Sequence, residues 1–358
     1  MTAIQLSPRA ISRKTSKHHL RDKTVTLAHG SGGRAMQDLI HAVFVQEFQA
    51  TPVNTLEDQA RIPLQELMAL GDRLAFTTDS YVVDPILFPG GDIGSLAVNG
   101  TVNDLAVSGA IPKYLTCSVI LEEGLPIATL RQIAASMKWA AEQAGVAIVT
   151  GDTKVVPRGS ADKLFINTAG IGVMRTHVSP AASQIQPGDR VLINGPLGNH
   201  GATILVARGD LALETDLESD CQALNGLVDA IVATCPQVRA MRDATRGGLA
   251  TVLNEFASSA QVGVQLWEEQ LPVDPAVNGL CELLGLDPLY LANEGKLVVV
   301  VPPEHADAVL AAMRSHPAGY QSQMIGQITE GQYVSLRTTF GTERIIDQLV
   351  GDQLPRIC

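Results

Sequence analysis

Apolar residues in the first half of the chain fall into β-rich and helical segments that follow one another. The β-rich runs predict strands at residues 24–28, 74–83, 113–121, 146–156 and 164–174. Helical spacing of apolar and small residues predicts helices at 34–48, 94–110 and 126–144. Pro126 opens the third helix, and Gly145 is placed as its C-cap. Strands interleaved with helices favour a mixed α/β domain.

A second α/β pattern follows a polar, Pro- and Gly-containing stretch at residues 176–189, which predicts a linker. Strands are predicted at 190–194, 262–267, 296–301, 321–329 and 333–338. Helices are predicted at 222–234, 246–260, 275–285 and 303–315. A chain of 358 residues fits two domains at roughly 100–200 residues each. The predicted parts are a basic flexible tail (1–23), an N-terminal domain (24–178), a C-terminal domain (188–350) and a mobile C-terminal tail (351–358).

Composition and charge narrow the class of protein. Hydrophobic residues make up 46% of the chain and charged residues 18%, which is enough apolar surface for two cores. The net charge of −11 argues against nucleic acid as the main partner, because a phosphate backbone needs basic patches. Nucleotides stay compatible with this charge, since backbone N–H groups and a divalent metal can hold their phosphates.

The five cysteines are far apart and include no CxxC pair: Cys117, Cys221, Cys235, Cys281 and Cys358. This spacing argues against a disulfide framework or a structural zinc site and favours a reducing cytoplasm. The sequence has no run of about 18 uncharged apolar residues, so no membrane span is predicted. The basic stretch at residues 1–24 lacks the apolar core of a secretory signal, so it is a flexible tail or a transit peptide.

Two kinds of segment could bind phosphates. Residues 29–33 (His-Gly-Ser-Gly-Gly) come between a predicted strand and a predicted helix, where free N–H groups and the helix dipole can hold an anion. A tight turn explains the same residues equally well. Four aspartates lie beside Gly, Thr or Asn rather than in charged runs: Asp79, Asp104, Asp152 and Asp243. Each suits a helix cap or a turn, but the set also suits Mg²⁺, which takes one or two carboxylates together with phosphate oxygens.

Three further residues could carry chemistry. Lys154, close to Asp152, is either a surface residue or a contact for a phosphate or a reacting carbonyl. Glu294 precedes an apolar strand and is either a turn residue or a general base. Cys358 is the last residue, on a Pro-containing tail, so it is either an accidental terminal cysteine or a mobile thiol that serves as a carrier.

Taken together, these stretches resemble the HypE family of hydrogenase maturation factors. The matching segments are 29–33, 78–80 with 82–83, 88–94, 100–106, 151–156, 241–243 with 245–249, 292–296 and the tail 355–358. The resemblance runs from about residue 24 to residue 358, and the tail is its most specific part.

The resemblance implies a two-domain α/β (α+β) fold similar to that of aminoimidazole ribonucleotide synthetase and selenophosphate synthetase. It further implies that the N-terminal mixed sheets of two copies form a barrel in a homodimer, and that a C-terminal α/β domain follows. ATP and Mg²⁺ are the implied cofactors. Asp79, Asp104 and Asp243 match the metal-holding acids, with Asp152 as a weaker fourth. The implied ATP-binding residues are Gly30, Gly32, Gly33, Asn103, Thr245 and Gly247.

The activity implied by the resemblance is an ATP-dependent carbamoyl dehydratase. It turns an S-carbamoyl group on Cys358 into a thiocyanate and donates cyanide to the iron centre of a NiFe hydrogenase. Lys154 and Glu294 match residues near the modified thiol, as a carbonyl-polarising group and a base. The implied partners are the carbamoyltransferase HypF and the iron-carrying HypC–HypD complex, without nucleic acid or membrane.

Other members of the superfamily fit less well. Selenophosphate synthetases usually carry a cysteine or selenocysteine near the glycine loop, whereas the first cysteine here is Cys117. Aminoimidazole ribonucleotide synthetase has no use for a terminal cysteine. A non-catalytic carrier that presents Cys358 would need no set of metal-binding acids.

Overall fold

The computed structural model describes residues 20–48, 58–209, 213, 215–349, 351 and 356–358. The predicted N-terminal tail therefore lies outside the described residues up to position 19, and residues 352–355 of the predicted C-terminal tail lie outside them too. Within these ranges every helix is too short or too polar to cross a bilayer.

The N-terminal half is built around a four-stranded sheet. Its helices are α1 (Arg34–Leu39), α2 (Gln46–Phe48), α3 (Leu64–Met68), α4 (Ile93–Val107) and α5 (Ile127–Ala144). Its strands are β1 (Arg73–Tyr81), β2 (Leu87–Phe88), β3 (Gly91–Asp92), β4 (Ala110–Glu122), β5 (Ala147–Val156) and β6 (Leu164–Met174). The main sheet has the order β1-β6-β4-β5, so β1 and β5 are its outer strands.

One face of this sheet is covered and the other is open. Helix α4 packs against β1, β6 and β4, and α5 packs against α4. Side chains on β1 alternate in exposure, because neighbouring residues of a strand point to opposite faces. On the open face Leu74 is 57% exposed and Phe76 is 70% exposed, and Ile120 of β4 is also exposed.

The C-terminal half is a seven-stranded sheet with helices on both faces. Its strands are β7 (Arg190–Ile193), β8 (Ala240–Asp243), β9 (Gly263–Trp267), β10 (Leu297–Val301), β11 (Gln323–Thr329), β12 (Val334–Arg337) and β13 (Glu343–Ile346), in the order β13-β12-β9-β11-β7-β10-β8. Its helices are α6 (Asn199–Ala207), α7 (Asn225–Thr234), α8 (Gly248–Ala260), α9 (Pro275–Leu284) and α10 (Ala306–Arg314). Val298 and Val300 of β10 pack into the core under α8, whereas Val299 packs into the core under α7 and α10.

Several predicted elements are confirmed and some are wrong. Strand β6 has the predicted bounds, and Gly145 ends α5 in the left-handed conformation, with φ 67°. The predicted strand at 24–28 is wrong: it is a single bridge from Thr24 to Pro126 followed by a 3₁₀ turn, because the His29 ring accepts a hydrogen bond from the backbone of Thr26. The helix predicted at 34–48 is continuous but takes a π-helical form at Ile40–Val45.

Helix α4 holds the two halves together. Its N-terminus is capped by Asp92, whose carboxylate accepts from the N–H groups of Gly94 (2.7 Å) and Ser95 (3.0 Å). One side of the helix covers the N-terminal sheet, and its C-terminal half also contacts β8 and α7. Close approach to β1 depends on Gly100, because a Cβ there would lie 2.2 Å from the hydroxyl oxygen of Tyr81.

We expect Gly100→Ala to destabilise the protein by about 1–3 kcal/mol, because the added methyl group must push α4 away from β1. Gly279→Ala is the matched control: this glycine is also helical, but a Cβ there meets no atom within 4 Å, so alanine should be neutral or stabilise by up to about 1 kcal/mol. Urea unfolding measures both. Equal effects of the two substitutions would contradict the close packing at Gly100.

Candidate active site

The last three residues of the chain are docked in the cleft between the domains. The backbone of residues 356–358 runs beside the chain after β1: Val82 N–H donates to the Cys358 carboxylate (3.2 Å), and Asp84 N–H donates to the Arg356 carbonyl (3.3 Å). Ile357 is 4% exposed and belongs to the N-terminal core. These contacts fix the position of the terminal thiol.

Cys358 lies among charged groups from both domains. Burial is the main cause that raises the pKa of its thiol, and the charge of Glu294 raises it further. Asp79 acts in the same direction, whereas Arg246 lowers it. The docked cysteine is therefore kept as a thiol and stays within electrostatic range of the predicted base.

Acids of the two domains meet in the same cleft. Asp104 on α4 accepts a hydrogen bond from the hydroxyl of Thr77 (2.9 Å). Burial raises the pKa of Asp104, and the charge of Asp79 raises it further. Burial, together with the charges of Asp104 and Asp79, raises the pKa of Asp243 at the end of β8 to about 7. Asp79, Asp104 and Asp243 therefore form one group of mutually repelling carboxylates.

These three acids are chemically suited to a divalent cation. Nearby carboxylates that raise one another's pKa favour the binding of a positive charge between them. In the described part of the chain, no three His, Cys, Asp or Glu side chains converge tightly enough to hold a metal ion by themselves. That spread fits Mg²⁺, which takes few protein carboxylates and completes its shell with phosphate oxygens and water.

Glu294 is 4% exposed, and its Oε1 has no hydrogen-bond partner. Burial, followed by the charges of Asp220, Asp243 and Asp79, raises the pKa of Glu294 well above its ordinary value. A buried carboxyl with a raised pKa and a free oxygen is suited to general acid–base chemistry.

Asp220 anchors the loop that carries Glu294. Its carboxylate accepts from the backbone N–H groups of Glu294 and Gly295 (both 3.1 Å) and from Lys296 Nζ (2.9 Å). Burial opposes ionisation of Asp220, but Lys296 outweighs it, so the pKa of Asp220 is lowered. A side chain at position 295 would lie 2.0 Å from the Asp220 carbonyl, so the loop needs glycine there.

The predicted ATP-binding residues of the C-terminal domain lie at the entrance to α8. Gly247 and Gly248 both have positive φ, and a Cβ at Gly248 would clash with the carbonyls of Leu289 and Leu291. Thr245 accepts from the N–H of Gly248 (3.0 Å). Asn103, the predicted ATP-binding residue on α4, lies elsewhere: its amide donates to the Gln222 carbonyl (3.0 Å) and accepts from Leu224 N–H (2.8 Å), so it clamps α4 to the chain before α7.

The other predicted residues form a second group, at the far edge of the N-terminal sheet. Lys154 Nζ pairs with Asp152 Oδ2 at 2.6 Å on β5, and both side chains are exposed. Gly30 packs against Val155 of the same strand, which brings the glycine loop beside this ion pair. Three strand spacings separate β5 from β1, or about 14 Å. Within one chain, Asp152, Lys154 and the loop of Gly30, Gly32 and Gly33 are therefore apart from Cys358.

Comparison with known proteins places this two-domain architecture in a family. Residues 57–174 match the N-terminal domain of AIR synthase related proteins, and residues 186–338 match their C-terminal domain. The carbamoyl dehydratase HypE of Rhodobacter capsulatus is 57% identical over 342 residues, which cover 95% of this chain and 99% of that protein. This chain belongs to the HypE family.

Solved HypE structures share the fold. The crystal structure of E. coli HypE, a hydrogenase maturation protein, is 53% identical and superposes with a TM-score of 0.87 over 90% of this chain and 100% of the other. HypE in complex with ATP is 48% identical, with a TM-score of 0.87 over 93% and 99% of the two chains. A HypE–HypF complex contains a chain that is 46% identical, with a TM-score of 0.76 over 77% and 90%.

Sequence reasoning missed Asp220, Lys296 and Arg246 as members of this HypE site. Lys296 and Arg246 lie within the quoted motifs, next to residues that were selected. Asp220 lies in a segment with no regular structure before α7. Its only sequence signal is that it is an acid beside Cys221. No periodic pattern connects it to the loop of Glu294, 74 residues further along the chain.

We expect Asp243→Asn to become more stable than the wild type as the pH rises from 5 to 7 in EDTA. The folded-state pKa of about 7 lies above the ordinary value, so in this window the folded wild type binds more protons than its unfolded chain. Its stability therefore falls as the pH rises, whereas asparagine has no proton to lose. The gain should be about 1 kcal/mol per pH unit, measured by urea unfolding.

Asp152→Asn is the matched control for this pH dependence. Lys154 lowers the pKa of Asp152, so that carboxylate is ionised in both the folded and the unfolded states between pH 5 and 7. Its substitution should give a stability difference that does not change with pH in this window. A flat profile for Asp243→Asn as well would contradict the repulsion in the cleft.

Proposed function

We propose that this chain is an ATP-dependent carbamoyl dehydratase of hydrogenase maturation whose substrate is its own C-terminus. An S-carbamoyl group on Cys358 is dehydrated to a thiocyanate, and the cyanide is then donated to the iron centre of a NiFe hydrogenase. The main support is the docked tail, which holds the Cys358 thiol within electrostatic range of Glu294 and Asp79. A docked tail makes the reaction intramolecular, so the effective concentration of substrate is high.

The chemistry needs ATP because hydroxide is a poor leaving group. The carbamoyl oxygen attacks the γ-phosphorus of ATP, the bond from the γ-phosphorus to the bridging oxygen breaks, and ADP leaves. Two protons are removed from the carbamoyl nitrogen, and the C–O bond breaks with release of phosphate, leaving S–C≡N. Glu294 is the proposed base, because its raised pKa makes it a stronger acceptor once it has ionised.

Asp79, Asp104 and Asp243 are the proposed Mg²⁺ ligands, and the ion supplies positive charge that neutralises the phosphates of ATP. The glycines at the start of α8 and in the loop at residues 30–33 are the proposed phosphate contacts. Arg246, beside Cys358, adds a further positive charge to this region.

A homodimer would explain the distance between Lys154 and Cys358. Leu74, Phe76 and Ile120 are exposed on the open face of the N-terminal sheet, as expected of a surface that a second copy covers. Lys154 also lies on an outer strand of this sheet, about 14 Å from the strand that leads to the docked tail of its own chain. We therefore propose that Lys154 of the partner subunit polarises the carbamoyl oxygen, and that Asp152 holds this lysine in place.

The proposed partners follow from the carbamoyl group and its product. The carbamoyltransferase HypF would load Cys358, and a relative has been crystallised as a HypE–HypF complex. The HypC–HypD complex would accept the cyanide, in the cytoplasm. Both steps need the tail to leave the cleft, so the docked position is one of at least two positions of the thiol.

Intact mass spectrometry tests the reaction directly. Incubation with HypF, carbamoyl phosphate and Mg-ATP should first add about 43 Da and then leave a net gain of about 25 Da, as the carbamoyl group becomes a cyano group. Cys358→Ala should take up neither group, whereas Cys221→Ala should take up both. Glu294→Gln should accumulate the carbamoyl form, because removal of the base slows dehydration by about 10²–10⁴-fold.

Two results would overturn the proposal. If Cys358 stays unmodified while ATP is hydrolysed, the substrate is a free small molecule. If Glu294→Gln dehydrates at the wild-type rate, another group removes the protons.

Mixed dimers test the origin of the lysine. Lys154→Ala and Glu294→Gln should each be inactive, but mixing and re-pairing the two variants should restore about a quarter of the wild-type sites. Each mixed dimer then contains one site with both residues intact. No recovery would mean that Lys154 acts on its own chain, because every site would then carry one defect.

A further inference from the structure

His200 is a buried polar residue for which the proposed chemistry has no role. It lies in the first turn of α6 with 0% exposure, and its ring stands edge-on to Phe88 at a centroid distance of 5.5 Å. Nε2 lies 2.7 Å from the carbonyl oxygen of Ile357, the residue next to the terminal cysteine. Nδ1 lies 2.7 Å from Ser219 Oγ. Both ring nitrogens therefore have partners, and one of those partners is the tail.

The partners determine which nitrogen carries the proton. A carbonyl oxygen can only accept, so Nε2 must donate to Ile357. Burial lowers the pKa of His200 and keeps the ring neutral, so Nδ1 has no proton and accepts from the Ser219 hydroxyl. Ser219 Oγ in turn accepts from Cys221 N–H at 3.2 Å. The Ile357 carbonyl thus selects the tautomer, and Ser219 supports it by donating to Nδ1.

The start of α6 is fixed to the loop that carries Glu294. Gly198 N–H donates to Asn293 Oδ1 (2.7 Å), and Gly201 N–H donates to the Ala292 carbonyl (2.9 Å). A Cβ at Gly201 would approach Ala292 N to 3.2 Å, so the helix and the loop are in close contact. His200 is therefore held in a defined position relative to Glu294.

We propose that His200 is a positioning residue that latches the C-terminal tail through the Ile357 carbonyl and so places the Cys358 sulfur in the active site. This inference deepens the proposed function and rests on it for the identity of the group that Cys358 carries. Neighbouring residues divide two tasks: Ser219 orients the latch, and Asp220 anchors the backbone of Glu294. Docking of the tail and placement of the base thus depend on one short segment.

The latch can be tested without any turnover, by the reactivity of Cys358. A docked thiol is partly buried and its pKa is raised, so it should react slowly with iodoacetamide at pH 8. An undocked thiol has an ordinary pKa and reacts faster. Peptide mapping by mass spectrometry follows Cys358 separately from the other four cysteines.

Two substitutions of His200, each by a residue with an amide side chain, test the hydrogen bond to the tail separately from the loss of the ring. Glutamine in H200Q places an N–H donor near the position of Nε2, whereas asparagine in H200N places its amide near Nδ1. H200N should raise the alkylation rate of Cys358 about 3–10-fold, the loss expected for one hydrogen bond. H200Q should stay within about twofold of the wild type. Single-turnover dehydration of carbamoylated protein should slow in H200N and recover in H200Q.

Ser219→Ala gives a second test that keeps the histidine. Removal of the hydroxyl leaves buried Nδ1 without its hydrogen-bond donor and loosens the hold on the ring, so alkylation of Cys358 should again rise. Ser315→Ala is the matched control, because that hydroxyl bonds the Ala311 carbonyl on the exposed end of α10. If H200N does not fold, this pair of serine variants decides the question alone.

Equal Cys358 alkylation in folded H200N and H200Q, or in Ser219→Ala and Ser315→Ala, would overturn the latch. The proposed function fails by a different result. That result would be the alkylation pattern expected for the latch, combined with a wild-type protein whose carbamoylated Cys358 never becomes a thiocyanate.

Discussion

The cleft depends on holding carboxylates from two domains near one another against their repulsion. Asp79 and Asp104 belong to the N-terminal domain, and Asp243 and Glu294 to the C-terminal one. Besides the Asp220–Lys296 pair under Glu294, neutral hydrogen bonds hold them there: Asn103 clamps α4 to the chain before α7, and Asn194 binds the Gly295 carbonyl (3.0 Å) and Leu297 N–H (2.7 Å). Amides can hold the domains together without cancelling the negative charge that the proposed Mg²⁺ site requires.

Much of the fold was predictable because its signals are local. The apolar run of β6 and the left-handed glycine after α5 each follow from a few adjacent residues. Helix α6 was missed because its first turn, Asn-His-Gly, looks like a loop, and it forms only because Gly198 enters it with a positive φ. Edge strand β13 was missed because it is short and mostly exposed.

The candidate site was predictable as a set of residues but not as an arrangement. Asp79 and Asp152 are both acids on strands, and nothing in their sequence context distinguishes them. Strand order separates them, since β1 and β5 are the two outer strands of one sheet. Strand order follows from long-range packing of α4 and α5 rather than from periodicity. His200 and Asp220 were missed for the same reason, because their partners lie 157 and 74 residues away.

The proposed function, with the tail as substrate, places opposing demands on that tail. Tight docking raises the effective concentration of the thiol at the base, but a thiol that never leaves cannot exchange groups with partners. The contacts of the described tail residues are suited to a balance. They are two backbone hydrogen bonds beside residues 82–84, one apolar side chain, one histidine and three contacts of Arg356: with Arg208 (3.0 Å), with the Val82 carbonyl (3.2 Å) and with Asp162. Each hydrogen bond contributes about 1 kcal/mol and an exposed ion pair less, whereas ordering each tail residue costs about 1–2 kcal/mol, so the docked and free positions can differ by only a few kcal/mol. The same tail can then serve all three proposed steps: loading of Cys358, dehydration of its carbamoyl group and transfer of the cyanide.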